Sequence, residues 1–228
     1  MVKVFPVIHH LDRETSLEQV QVAKDCGADG VFLISHHGKD DELVIVARDA
    51  KQLHQDYLIG INLLTRHPMN AAILARDNGL DMVWADDMGV DSKGCSKEAM
   101  ELTAFVACNP SVLLFASVAF KYRPPESNPA LAAKNALNAG FLPTTSGNGT
   151  GQAPDVGKIA LMSGAVDGNL AIASGMTPEN VSLYAPYLSH ILVSTGISMD
   201  EYRIDELKLM ALIAVAKNDK LLESVWTT

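Results

Sequence analysis

The sequence predicts an α/β fold, a (β/α)8 TIM barrel forming a single domain over residues 1–228. Three observations predict it. The length of 228 residues suits one barrel of roughly 200 to 250 residues without disulfide or metal staples. Short apolar runs alternate eight times with segments of helical period, the pattern of parallel strands joined by crossover helices. The runs are continuously apolar, as strands covered on both faces are, and their even spacing favours a closed barrel over an open sheet.

The elements follow in order. Strand one is read at 4–8 and its helix at 17–26, where the phrase Cys-Gly-Ala-Asp-Gly (26–30) supplies a glycine for the left-handed helix end. Strand two at 30–34 leads to a helix at 41–54, and strand three at 58–62 to a helix at 69–78. The phrase Asn-Gly-Leu-Asp-Met (78–82) then opens strand four at 82–85, with a helix at 97–107. Strand five at 112–118 precedes a helix at 129–139, and Asn-Ala-Gly-Phe-Leu (138–142) repeats the punctuation before strand six at 140–143. Helices at 154–164 and 178–183 flank strand seven at 170–173. Strand eight at 190–194 is followed by a last helix at 204–217, whose Met and Leu residues over 207–213 read as core, with 217–220 as a solvated end. No Pro/Gly/Ser-rich linker divides the series.

Composition narrows the function classes. A net charge of -9, from 18 basic and 27 acidic side chains, repels a phosphate backbone, so no nucleic-acid polymer is expected as a partner. Cys26, Cys95 and Cys108 are odd in number and contain no CxxC, which predicts a reducing, cytoplasmic setting rather than a disulfide framework. No apolar run approaches roughly 18 residues, so neither a signal peptide nor a membrane span is expected. The expected assembly is a homo-oligomer.

In a barrel, chemistry gathers where strands end and βα loops begin. The seventh junction, 171–181, contains Ser174, Gly175, Met176 and Thr177. There Thr177 is expected to cap a helix whose first turn holds Pro178 and Glu179, leaving amides free for an anion. The eighth junction adds Ser194, Thr195 and Gly196, and loops seven and eight are the common phosphate site of such barrels. The sixth junction carries Ser146, Gly147, Gly149, Thr150 and Gly151, a candidate nest of amides. Strand one ends in His9 and His10, strand two in His36 and His37, and strand four in Asp86 and Asp87; adjacent residues point opposite ways, so at most one imidazole of each pair faces inward readily. Lys121 emerges from strand five, where it can neutralise a phosphate or, if desolvated, serve as base or Schiff-base nucleophile. Asn62 stands at the end of strand three. No HxH or HExxH spacing is present, and no metal or cofactor is expected.

The ordered phrases Ile-Gly-Ile-Asn-Leu-Leu with the following Ala-rich helix (59–76), Ser-Val-Ala-Phe-Lys-Tyr (117–122), Thr-Ser-Gly-Asn-Gly-Thr-Gly (145–151) and Ala-Ser-Gly-Met-Thr-Pro-Glu-Asn-Val (173–181) resemble the BtpA family. The resemblance runs from about residue 6 to 216. It implies a phosphate-binding barrel related in fold to phosphoribosylanthranilate isomerase, and it points to Asn62, Lys121, the 145–151 loop and Gly175 as site positions. Two junctions depart from that pattern: His-His-Leu-Asp stands in place of a Pro-rich loop, and Ser-Thr-Gly-Ile-Ser in place of Gly-Ser-x-x-Lys.

These residues support an enzyme that binds a phosphorylated sugar, phosphoribosyl or nucleotide-type ligand and carries out isomerase, lyase or transferase chemistry by proton transfer. Lys121, Asp86 and His10 are its candidate catalytic groups. Two alternatives remain open on the sequence: a non-catalytic assembly or regulatory protein that keeps the phosphate site, and a metal-dependent hydrolase or lyase using His10, His36 or His37 with Asp86.

Overall fold

The computed structural model describes residues 1–217; the solvated end read over 217–220 falls, beyond Lys217, outside them. Eight parallel strands close into a barrel in chain order: β1 (Lys3–His9), β2 (Gly30–Ile34), β3 (Leu58–Asn62), β4 (Met82–Ala85), β5 (Leu113–Ser117), β6 (Leu142–Thr145), β7 (Ala171–Ala173) and β8 (His190–Val193), the last pairing with β1. The helices are α1 (Arg13–Asp25), α2 (Asp40–Leu53), α3 (Pro68–Asp77), α4 (Lys97–Cys108), α5 (Pro129–Asn138), α6 (Val156–Ala165), α7 (Val181–Tyr184) and α8 (Glu206–Lys217). The predicted (β/α)8 TIM barrel is the fold observed. Among the described residues no helix is long and apolar enough to cross a membrane.

Two apolar shells hold the barrel. Between strands and helices, Val31, Leu33, Ile59 and Ile61 are fully buried against small helix faces such as Ala71, Ala72 and Ala75 of α3. Inside the barrel, Phe5, Phe32 and Phe115 meet edge to face, Phe32 and Phe115 with centroids 5.1 Å apart, and fill the axis beneath the C-terminal mouth. Gly60 leaves room for the Phe32 ring, against which any Cβ would press. The interior is thus a packed floor, and a ligand has space only above it.

The recurring helix-to-strand phrase has a physical role. Gly27, Gly79 and Gly140 all adopt left-handed φ, +83°, +68° and +82°. In two of the phrases the following aspartate staples the neighbouring strand: Asp29 accepts from the Val4 amide at 2.8 Å, and Asp81 from the Ile59 amide at 2.8 Å. Lys217 and Lys51 neutralise them.

Element ends shift from the sequence reading by up to four residues, and three of the shifts have a clear local cause. Helix α1 begins at Arg13, four residues early, because Asp12 caps it by accepting from the Thr15 amide. Strand β6 begins at Leu142 rather than 140, since Gly140 is spent on the left-handed turn. Helix α7 begins at Val181 rather than 178 and lasts one turn, continuing as a 3-10 turn at Ala185–Tyr187. Residues 178–180 form a turn instead, in which Asn180 accepts from the Thr177 amide at 2.9 Å and donates to the Gly175 carbonyl at 2.8 Å.

Candidate active site at the barrel mouth

Register decides which rim side chains face the axis. Along β1, Phe5 and Val7 point into the barrel, so His9 does too, while His10 points out between α1 and α2. His10 is 1% exposed, bonded through Nδ1 to Ser16 Oγ at 2.8 Å and close to Glu42 through Nε2 at 3.4 Å. The fold therefore does not bring His10, the histidine expected as a proton-transfer group, to the mouth; His9 stands there in its place. His36 joins it, the two rings meeting edge to face at 4.9 Å, whereas His37 turns toward the Tyr202 hydroxyl at 3.4 Å.

A cavity of ≈ 140 Å³ opens at this mouth, lined by His9, His36, Trp84 and Lys121 on one side and by Ser174, Gly175, Ser194, Thr195 and Gly196 on the other. The second wall comes from the loops after β7 and β8. Gly175 has φ +80°, and a Cβ there would run into the backbone of Gln152 and Ala153; a Cβ on Gly196 would overlap the Met176 carbonyl. Glycine is required at both places because three loops meet backbone to backbone. Among the described residues, the amides of Gly175, Thr195 and Gly196 have no protein acceptor.

The Thr177 amide is not available to an anion as expected, because Asn180 holds it. Met176 is fully buried, its side chain in the core. Ser174 sits at φ +100°, a conformation uncommon for a residue with a Cβ, and its Oγ accepts from the Gly151 amide at 2.9 Å, tying the sixth loop to the seventh. Gly196→Ala is expected to destabilise the protein by about 1 to 3 kcal/mol, since backbone rather than a yielding side chain stands in the way. Gly164→Ala, inside α6 with nothing within 4 Å of the added carbon, is the control and is expected to be neutral or stabilising. Equal urea midpoints for the two variants would refute the close-packing account.

The opposite wall is built by the loops after β5 and β6. Ala119 and Tyr122 both have positive φ, +48° and +63°, bracketing Lys121. Ser146 is fully buried and accepts from the Lys121 amide at 2.8 Å while donating to the Gly147 carbonyl, so it supports Lys121 and has no hydroxyl proton left for a ligand. The Lys121 ammonium donates to Thr150 Oγ1 at 3.3 Å, and the Tyr122 hydroxyl meets the same Oγ1 at 3.1 Å. Gly147 packs under the Gln152 carbonyl with no space for a Cβ, and the Gly149 carbonyl accepts from the Gln152 amide at 3.2 Å; both shape the loop. Lys158, on α6, fastens this wall from behind by donating to the Ala119 and Ser146 carbonyls at 2.7 and 2.9 Å. Sequence reasoning missed Lys158, which carries no motif and reaches the loop only through the packing of α6.

The ionisable groups at the mouth perturb one another. Burial lowers the His9 pKa first, and His36 and Lys121 add to it while Glu201 opposes. Burial also lowers that of Lys121, against Tyr122 and Asp86. Desolvation pushes the Asp86 pKa up, although the residue as a whole is exposed and Lys121, Asn62, His36 and Arg123 all favour its charged form. Asn62 is 1% exposed and lies near Asp86 without hydrogen-bond geometry; its amide nitrogen is buried and unpartnered. Asp86 and Lys121 feel each other's charge but form no ion pair. A histidine and a lysine whose charged forms burial disfavours, beside a carboxylate, are groups able to exchange protons with a ligand. Among the described residues no three His, Cys, Asp or Glu side chains are grouped to hold a metal ion.

This site and fold define the class: a (β/α)8 barrel with a cavity at its C-terminal mouth, where polar side chains stand on an apolar floor. No family model matches the chain, and no curated protein matches it. Solved structures share the fold. A structure described as native KDPGal is 13% identical with a TM-score of 0.68, covering 96% of each chain. Phosphoribosyl anthranilate isomerase from Thermus thermophilus is 15% identical with a TM-score of 0.68, covering 95% of this chain and 99% of that one. The isomerase of the same name from Thermotoga maritima is 20% identical with a TM-score of 0.66, covering 96% and 100%.

Proposed function

We propose that the protein is an enzyme acting on a phosphorylated sugar or phosphoribosyl-type compound, with chemistry of the isomerase, lyase or transferase kind that proceeds by proton transfer. The observation that carries this reading is the set of unengaged amides of Gly175, Thr195 and Gly196, all lining the one cavity that also contains His9, His36 and Lys121. Amides without a protein acceptor at one corner suit a phosphate oxygen, and an anchored phosphate holds the rest of the ligand against the proton-transfer groups. In this reading Lys121 and Asp86 are catalytic, His9 takes the role first given to His10, and Thr150 and Ser194 are ligand contacts. Membership of the BtpA family, a single domain, a cytoplasmic setting and a homo-oligomer belong to the same proposal.

Inorganic phosphate is expected to raise the melting temperature in a saturable way and to occupy the Gly175–Gly196 corner in crystals soaked with it. No thermal shift together with an empty corner at high phosphate removes the basis of the reading.

A further inference from the structure

Behind the mouth, between the loops after β5 and β6, lies a second cavity of ≈ 300 Å³. Three cations line it, Lys121, Arg123 and Lys158, against one carboxylate, Glu126. That carboxylate is already engaged, accepting from the Ser92 and Asn128 amides at 3.2 and 3.1 Å. Arg123 is paired with Asp87 at 3.1 Å. Lys121 and Lys158 form no ion pair among the described residues: the first donates to Thr150 and the second to two carbonyls, which uses two of its three ammonium protons. Two lysines without an ion-pair partner line one cavity, in a chain of net charge -9, and mark a place where an anion lowers the energy. Lys121 also lines the mouth cavity, so it is the common wall of the two spaces.

We propose that this cavity is a second anion subsite and that the ligand carries two acidic groups, a phosphate at the Gly175–Gly196 amides and a carboxylate or second phosphate between Lys121 and Lys158. This rests on the phosphate reading of the mouth and goes beyond it by specifying the other end of the ligand. Glycerol 3-phosphate and 3-phosphoglycerate differ at one terminus by a carboxylate, as do glucitol 6-phosphate and 6-phosphogluconate at six-carbon length. Calorimetric titration is expected to show the carboxylate-bearing member of at least one pair binding ~10-fold tighter or more.

Lys158→Gln is expected to abolish that preference, and Lys158→Arg to retain it. Asn148→Asp, at an exposed residue of the same wall, places a negative charge in the cavity without changing side-chain shape, and is expected to abolish the preference even if Lys158→Gln does not fold. Equal affinities within both pairs, or a preference that survives Asn148→Asp, overturns the second subsite and leaves the mouth reading standing. Failure of glycerol 3-phosphate, glucitol 6-phosphate and inorganic phosphate alike to bind overturns the mouth reading, and the second subsite with it.

Discussion

Lys121→Met is expected to fold normally and to lower kcat by about 10² to 10⁴-fold on the substrate once identified, the range for losing a positioned proton-transfer group. The substitution keeps an apolar stem and deletes only the ammonium, which lies 5.8 Å from the centroid of the Phe120 ring. Its backbone contact with Ser146 does not depend on the side chain, so the loop keeps its shape. Burial holds the ammonium below its ordinary pKa, and no carboxylate is bonded to it, so its proton is more easily released than that of a solvated lysine. If Lys121 instead serves as an electrostatic anchor, KM rises and kcat is spared; the two roles separate in the steady-state parameters. Unchanged kcat and unchanged KM would make Lys121 a bystander and remove the central catalytic assignment.

His190→Leu is expected to flatten the acid side of the stability curve. His190 enters the barrel floor from β8, its ring 5.5 Å from that of Phe5 and 5.4 Å from that of Phe115, with Nδ1 on Ser189 Oγ at 2.8 Å. Burial first, and the positive charge of Lys3 second, push its pKa down from 6.5 to about 4, against the pull of Asp29. A histidine with a depressed folded pKa contributes its full stability above the unfolded value of 6.5. As the pH falls from there to about 4 the unfolded chain takes up a proton that the folded chain refuses, and stability is lost. At about 1.4 kcal/mol for each pH unit of that gap, the loss is on the order of 3 kcal/mol. Urea midpoints measured from pH 4 to 7 for the two proteins should converge on the acid side or cross, with the variant less pH-dependent. Parallel curves would show that His190 protonates in place without cost to the fold.

Much of the architecture is legible from the chain. Apolar runs of strand length, helical periods between them and a repeated glycine phrase specify eight βα units, because each unit's signal is local: burial on both strand faces and a left-handed helix end. Rim positions such as Lys121, Gly175 and Gly196 are legible for the same reason, since they follow the last apolar residue of a strand. What sequence could not decide is parity. Strand β1 is apolar on both faces, so no alternation distinguishes the axis side from the helix side, and only the closed register puts His9 into the mouth and His10 against Ser16.

The seventh loop went the same way. Thr-Pro-Glu is a local helix-start signal, but Asn180, bonded to both Gly175 and Thr177, stabilises a turn there and delays the helix to Val181. By itself, then, the sequence determined the barrel, its eight junctions and the glycine- and hydroxyl-rich loops of the rim. The tertiary structure alone decided which member of each rim histidine pair faces the cavity, and it brought Lys158 from α6 to the back of the Lys121 loop. The physical reason is range: strand burial and helix ends are set by neighbours a few residues away, whereas side-chain direction and charge pairing at the mouth depend on strands, loops and helices that meet only when the barrel closes.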